Sequence, residues 1–124
     1  MSLIASEGMT GAAMMKEEAK ADKLLTGAEI LVRSLQDLGV TSIFGYTGAA
    51  ILPVMDELGK SSIRIVVNAN EQCAAFSAAG YSRSSDKVGI AIVTSGPAIT
   101  NTLTAVADSF ADSIPLVVHR RTGA

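Results

Sequence analysis

The chain has no tryptophan, and two tyrosines and three phenylalanines bring its aromatic content to only 4%. Any core must therefore be assembled from Val, Ile, Leu, Ala and Met. A single cysteine, Cys73, excludes an internal disulfide and suits a reducing compartment. A single histidine, His119, excludes a histidine-based metal cluster and leaves no Ser-His-Asp relay with local support. No apolar run approaches the roughly 18 residues of a membrane span, so no membrane partner is expected. A formal net charge of -2 gives nucleic acid no electrostatic hold. What remains is the balance of a globular protein, 48% hydrophobic and 18% charged, and 124 residues give room for one core.

Residues 1–23 carry Glu7, Glu17, Glu18 and Asp22 without an apolar block, which argues against a signal or transit peptide. They are expected to form a flexible leader, and a cytoplasmic location is the default. Patterned structure begins at Thr26-Gly27-Ala28-Glu29, which has the spacing of a capping box. Ala28, Leu31, Val32, Leu35 and Leu38 then recur at helical intervals, and Gly39 supplies a stop. A strand is expected over Val40–Phe44, a turn over Gly45–Gly48, and a helix over Ala49–Leu58 that accepts Pro53 only near its start. A second strand, Ile63–Val67, leads to Asn70, a plausible N-cap with Glu71 in the first turn behind it. That helix is rich in small residues, Ala74, Ala75, Ala78, Ala79 and Gly80, so another element can approach it closely.

Val88–Val93 reads as the most apolar strand of the chain. Thr100–Ala111 then reads as a helix with Leu103, Val106, Ala107 and Phe110 on one side, and Ile114–Val118 as the last strand. Strands alternating with helices imply a doubly wound parallel sheet with helices on both faces, because parallel neighbours need helical crossovers. Three loops, Gly45–Ala50, Asn68–Glu71 and Thr94–Asn101, should then meet at the carboxyl ends of the strands, where such sheets bind ligands.

Each loop also has a plain reading. Taken alone, a first-turn glutamate most often complements the helix dipole. Ser95-Gly96-Pro97-Ala98 lacks both the dinucleotide glycine spacing and the P-loop lysine, so by itself it is a structural turn. Cys73 reads as a small buried hydrophobe, Asp108 and Asp112 as a solvated face, and His119-Arg120-Arg121 as a solvated chain end.

Taken together the loops say more. Gly45-Tyr46-Thr47-Gly48-Ala49-Ala50, Asn70-Glu71-Gln72-Cys73-Ala74-Ala75, Gly80-Tyr81-Ser82-Arg83 and Thr94-Ser95-Gly96-Pro97-Ala98-Ile99-Thr100-Asn101 occur in one order, followed by Ala107-Asp108-Ser109-Phe110-Ala111-Asp112-Ser113-Ile114-Pro115-Leu116-Val117. This series resembles the N-terminal, pyrimidine-binding domain of thiamine diphosphate enzymes, most closely the large catalytic subunit of acetolactate synthase. It covers residues 24–118, leaving 119–124 as an expected divergent end and the fold as a truncated form of the family's.

The resemblance implies that Glu71 is catalytic, hydrogen-bonding the aminopyrimidine ring. It also implies that Tyr46, Thr47, Gly48, Ala49, Ser95, Gly96, Pro97 and Asn101 line the cofactor. In the family, pyruvate is decarboxylated and its two-carbon unit passes to a second 2-oxo acid in branched-chain amino-acid biosynthesis. Magnesium and FAD belong to other domains, and a second subunit of a homodimer or higher oligomer supplies the diphosphate site. The isolated chain is thus expected to bind only the pyrimidine end and to be inactive. Another thiamine diphosphate-dependent 2-oxo-acid decarboxylase stays open, as does a non-catalytic remnant pairing through the Ala-rich helix.

The chain departs from the family at Thr47, where proline is usual, at Cys73 and Ala98, where glycine is usual, and at Phe76, where histidine is usual. Alanine at position 98 is expected to tighten its turn. The family's strand runs on into Thr-Gly-Gln where this chain has His119 to Ala124.

Overall fold

The computed structural model describes residues 24–121. The expected leader, 1–23, and residues 122–124 of the expected divergent end lie outside them. Helix α1 (Gly27–Asp37) opens with the capping box intact. Thr26 N donates to Glu29 Oε2 at 2.8 Å and Glu29 N donates to Thr26 Oγ1 at 3.2 Å. Gly39, at φ 73, turns the chain into β1 (Ser42–Gly45). A 3₁₀ turn (Ala49–Ile51) precedes α2 (Leu52–Gly59), where Pro53 occupies the first turn and its missing N–H costs nothing. Then follow β2 (Arg64–Val67), α3 (Glu71–Ser85), β3 (Gly89–Val93), α4 (Pro97–Asn101), α5 (Leu103–Ala111) and β4 (Leu116–Arg120).

The four strands are all parallel, in the order β2-β1-β3-β4. This is the expected doubly wound sheet. Side chains alternate across it. On one face Ile43, Ile90 and Ile92 meet Val32, Leu35, Ile51, Val54, Leu58 and Ile63 from α1, the 3₁₀ turn, α2 and the residue before β2. On the other, Ala91 meets Ala75 and Ala78 of α3 and Ala105 of α5, with Phe44, Leu116 and Val118 packed around them. The two faces differ in thickness, one aliphatic and one built of alanine.

The thin face bears out the close approach expected of the Ala-rich helix. Ala74, Ala75, Ala78 and Ala79 are at most 2% exposed, and Ala75 and Ala78 pack on Ala91 of the chain's own sheet and Ala105 of α5. A Cβ on Gly89 would collide with the Ala78 carbonyl, so the helix backbone lies directly on β3.

The same close packing overturns the expected face of α5. Leu103, Val106 and Phe110 point outward, Phe110 being 86% exposed, while Thr102, Ala105 and Ser109 are buried. Only small side chains fit the narrow gap against α3, so the bulky ones are excluded from it.

The expected single helix over Thr100–Ala111 is two helices, breaking at Thr102. There Thr102 Oγ1 donates to the Ile99 carbonyl at 2.7 Å, a local bond that competes with regular helix continuation. Asp108 and Asp112, expected to be merely solvated, both pair with Arg83 of α3, at 3.0 and 2.8 Å. These pairs are half-exposed and worth little individually.

Strand β4 continues past Val118. His119 stands in register with Ile92 and Arg120 with Val93, so these two residues belong to the sheet, while Arg120 and Arg121 are exposed as expected. Partial burial lowers the His119 pKa. Cys73 is exposed, not buried, because it lies on the α3 face turned away from the sheet. Ala98 is helical and free of positive φ, so it introduces no left-handed strain.

Candidate functional site

From β1 the chain steps first to β2 on one side and later to β3 on the other, so the winding reverses between β1 and β3. The crevice at the carboxyl ends of those two strands is where the topology opens a binding site. The loop after β1 is held there by Tyr46 N, which donates to the Ile92 carbonyl at 3.3 Å, and Asn68 N donates to the Gly45 carbonyl at 2.9 Å. A Cβ on Gly48 would fall 2.6 Å from the Thr94 side chain, so the first and third loops close together only with glycine at position 48. Gly96, at φ 72 and ψ -134, bends the third loop into Pro97 and α4.

The second loop brings the acid. Asn70 is extended, and its Oδ1 accepts from Cys73 N at 2.8 Å, so Glu71 begins α3 in a fixed direction. The Glu71 side chain is buried, at 9% exposure. Its Oε2 accepts a hydrogen bond from Asn101 Nδ2, the last residue of α4, at 2.9 Å. Glu71 follows β2 and Asn101 follows β3, so this bond joins the loops of the two strands flanking β1. Negative charge here is also favoured by the amides of the first turn of α3. A buried carboxyl group with one oxygen held by an amide can offer the other to a ring nitrogen, as donor when protonated and as acceptor when ionised.

The residues expected at the site divide by position. Glu71 and Asn101 are in direct contact, and Gly48 meets the third loop at Thr94. Tyr46, Thr47 and Ala49 lie on an exposed rim beside the first loop, and Gly96 and Pro97 on another, with Ser95 half-buried between strand and helix. Two residues named in sequence only as the first residues of their loops belong with them. Thr94, at the head of the Thr94–Asn101 motif, sets the loop spacing. Asn68 Nδ2 donates to Ser77 Oγ at 2.9 Å, while its buried Oδ1 has no protein partner.

Among the described residues no group of His, Cys, Asp and Glu could hold a metal ion. An apolar groove of about 590 Å³ lies at the opposite end of the sheet, lined by Leu38, Val88 and Val117 among others. Thr41, Ser42, Tyr81, Asp86 and Lys87 also line it, but it lies away from the crevice between β1 and β3 that carries Glu71 and Asn101.

Residues 25–119 match the family described as thiamine pyrophosphate enzyme, N-terminal TPP binding domain, thiamine pyrophosphate being thiamine diphosphate. The chain belongs to this family. Within the thiamine pyrophosphate enzymes it is similar to the acetolactate synthase large subunit of Lactococcus lactis, 42% identical over 103 residues, which are 82% of this chain and 18% of that protein. It is 49% identical over 94 residues to the acetolactate synthase of Mycobacterium avium, covering 75% of this chain and 15% of the relative. It is 46% identical over 97 residues to the acetolactate synthase isozyme 3 large subunit of Escherichia coli, covering 77% of this chain and 17% of the relative. The chain thus spans less than a fifth of the length of these curated relatives.

The residues present fit the pyrimidine half of the cofactor. A buried carboxyl group, the kind of partner a ring nitrogen requires, sits at the winding reversal, beside loops held at glycine spacing.

Proposed function

We propose that this chain is the pyrimidine-binding part of an acetolactate synthase large subunit, with Glu71 as the group that hydrogen-bonds the aminopyrimidine ring. The observation that carries the reading is the buried Glu71 carboxyl, anchored by Asn101 within the region similar to acetolactate synthases. Tyr46, Thr47, Gly48 and Ala49 would border the ring from one side, and Ser95, Gly96 and Pro97 from the other. When bound, the cofactor supplies an electron sink for the charge left as a 2-oxo acid loses carbon dioxide.

The work of the chain itself is narrower. Glu71 holds a proton where a ring nitrogen can share it, and its burial strengthens that hydrogen bond relative to one in water. The contact between Gly48 and Thr94 keeps the loops closed around the acid. On this reading the diphosphate, its magnesium ion and FAD are held by other parts of a longer protein. A second subunit completes the site in a homodimer or higher oligomer, with pyruvate as the first substrate. Branched-chain amino-acid biosynthesis in the cytoplasm is the setting that accompanies it, in keeping with one unpaired cysteine.

The test is to put residues 25–119 in place of the matching segment of the Escherichia coli isozyme 3 large subunit. Acetolactate formation from pyruvate is expected in the chimera, and none from the isolated chain. Glu71→Gln should lower the chimera's turnover by about 10²–10⁴-fold, the range of a positioned acid–base group. Undiminished turnover in that variant would remove Glu71 from the reaction.

A further inference from the structure

Asn101 stands at the end of α4 with its side chain on Glu71. Two hydroxyls brace this turn. Thr100 Oγ1 donates to the Pro97 carbonyl and Thr102 Oγ1 to the Ile99 carbonyl, both at 2.7 Å, and Thr102 is fully buried. The backbone of Asn101 is therefore fixed although its side chain lies at the surface. An ionised carboxylate can only accept, so the bond orients the amide with Nδ2 toward Glu71 and Oδ1 away from it. An N–H donated to Oε2 also favours the proton on the other oxygen, because a carbonyl oxygen accepts a hydrogen bond better than a hydroxyl oxygen does.

We propose that Asn101 is a positioning residue for Glu71 rather than a ligand of the cofactor ring. It holds Oε2 as an acceptor and so favours Oε1 as the seat of the exchangeable proton of Glu71. This inference rests on the reading of Glu71 as the ring-contacting acid. It reassigns Asn101 from the cofactor-lining role implied by the family resemblance to one exerted entirely through the carboxylate.

The two roles separate in a binding cycle on the full chain. The probes are thiamine and a pyridine analogue with C–H in place of the ring nitrogen that would meet Glu71, titrated at millimolar concentration by NMR. The wild-type chain is expected to prefer thiamine. Asn101→Ala should weaken thiamine about tenfold, the effect of losing a hydrogen bond to a charged group, and leave the analogue unchanged. In a Glu71→Ala background the same exchange should do nothing further, since a residue acting through Glu71 has no separate effect once it is gone.

Backbone amide spectra check the fold, and Asn101→Leu, which keeps the bulk without the N–H, serves if the alanine variant does not fold. Equal weakening of both probes by Asn101→Ala would make Asn101 a ring ligand and overturn the proposal. So would an undiminished preference for thiamine in that variant. A wild-type chain that binds neither probe, or does not distinguish them, would instead sink the reading of Glu71 and the inference with it.

Discussion

Gly89 lies where β3 passes beneath the backbone of α3, and the Ala78 carbonyl occupies the place its side chain would take. Gly89→Ala forces helix and strand apart, and we expect a loss of roughly 1–3 kcal/mol, the usual penalty for overpacking a core. Gly80 belongs to the same helix, and a methyl group added there would meet no neighbouring element within 4 Å. Gly80→Ala should therefore stabilise by about 0.5–1 kcal/mol through helix propensity alone. Urea midpoints of the two variants check both signs; a neutral Gly89→Ala would mean that α3 does not rest on β3 as described. At this scale the sequence was partly readable. The cluster of alanines announced a thin helix, but not which strand it would touch, because a glycine in a strand carries no label for its neighbour.

The start of α3 shows how an element places a functional group. Asn70 caps the helix through Cys73 N, and the residue that directly follows the cap is Glu71. Asn70→Ala should cost about 1 kcal/mol of stability, as loss of a cap does, while Asn70→Asp should cost little because aspartate caps equally well. Chemical denaturation separates the two, and equal losses would show that the cap bond is not what holds the turn. Among the described residues, the side-chain caps at Thr26 and Asn70 were legible because capping is a matter of neighbours in sequence. The inner face of α5 was not. Hydrophobic periodicity picked out Leu103, Val106 and Phe110, yet the helix turns Ala105 and Ser109 inward, since the width of the gap against α3 decides and periodicity cannot measure it. His119 and Arg120 looked like an end by their charge, but the ladder to Ile92 and Val93 is a long-range pairing that no local pattern records.

For the molecule as a whole, alternating strands and helices made the parallel sheet legible, whereas the order β2-β1-β3-β4 comes only from the structure. That order matters because it places the reversal of winding between the loops carrying Gly48 and Asn101, with Glu71 reaching the same place from β2. The sequence named nearly all of these residues through the order of its motifs. It could not show that Asn101 lies on the glutamate, nor that Thr94 spaces the loops, since both depend on loops far apart in the chain. On the proposed reading the cofactor ring binds at this end of the sheet rather than in the apolar groove at the other. A residue-resolved NMR titration of the chain with thiamine diphosphate tests it most directly. Amide shifts are expected to concentrate at Gly48, Glu71, Gly96 and Asn101. Shifts gathered instead around Leu38, Val88 and Val117 would contradict that reading.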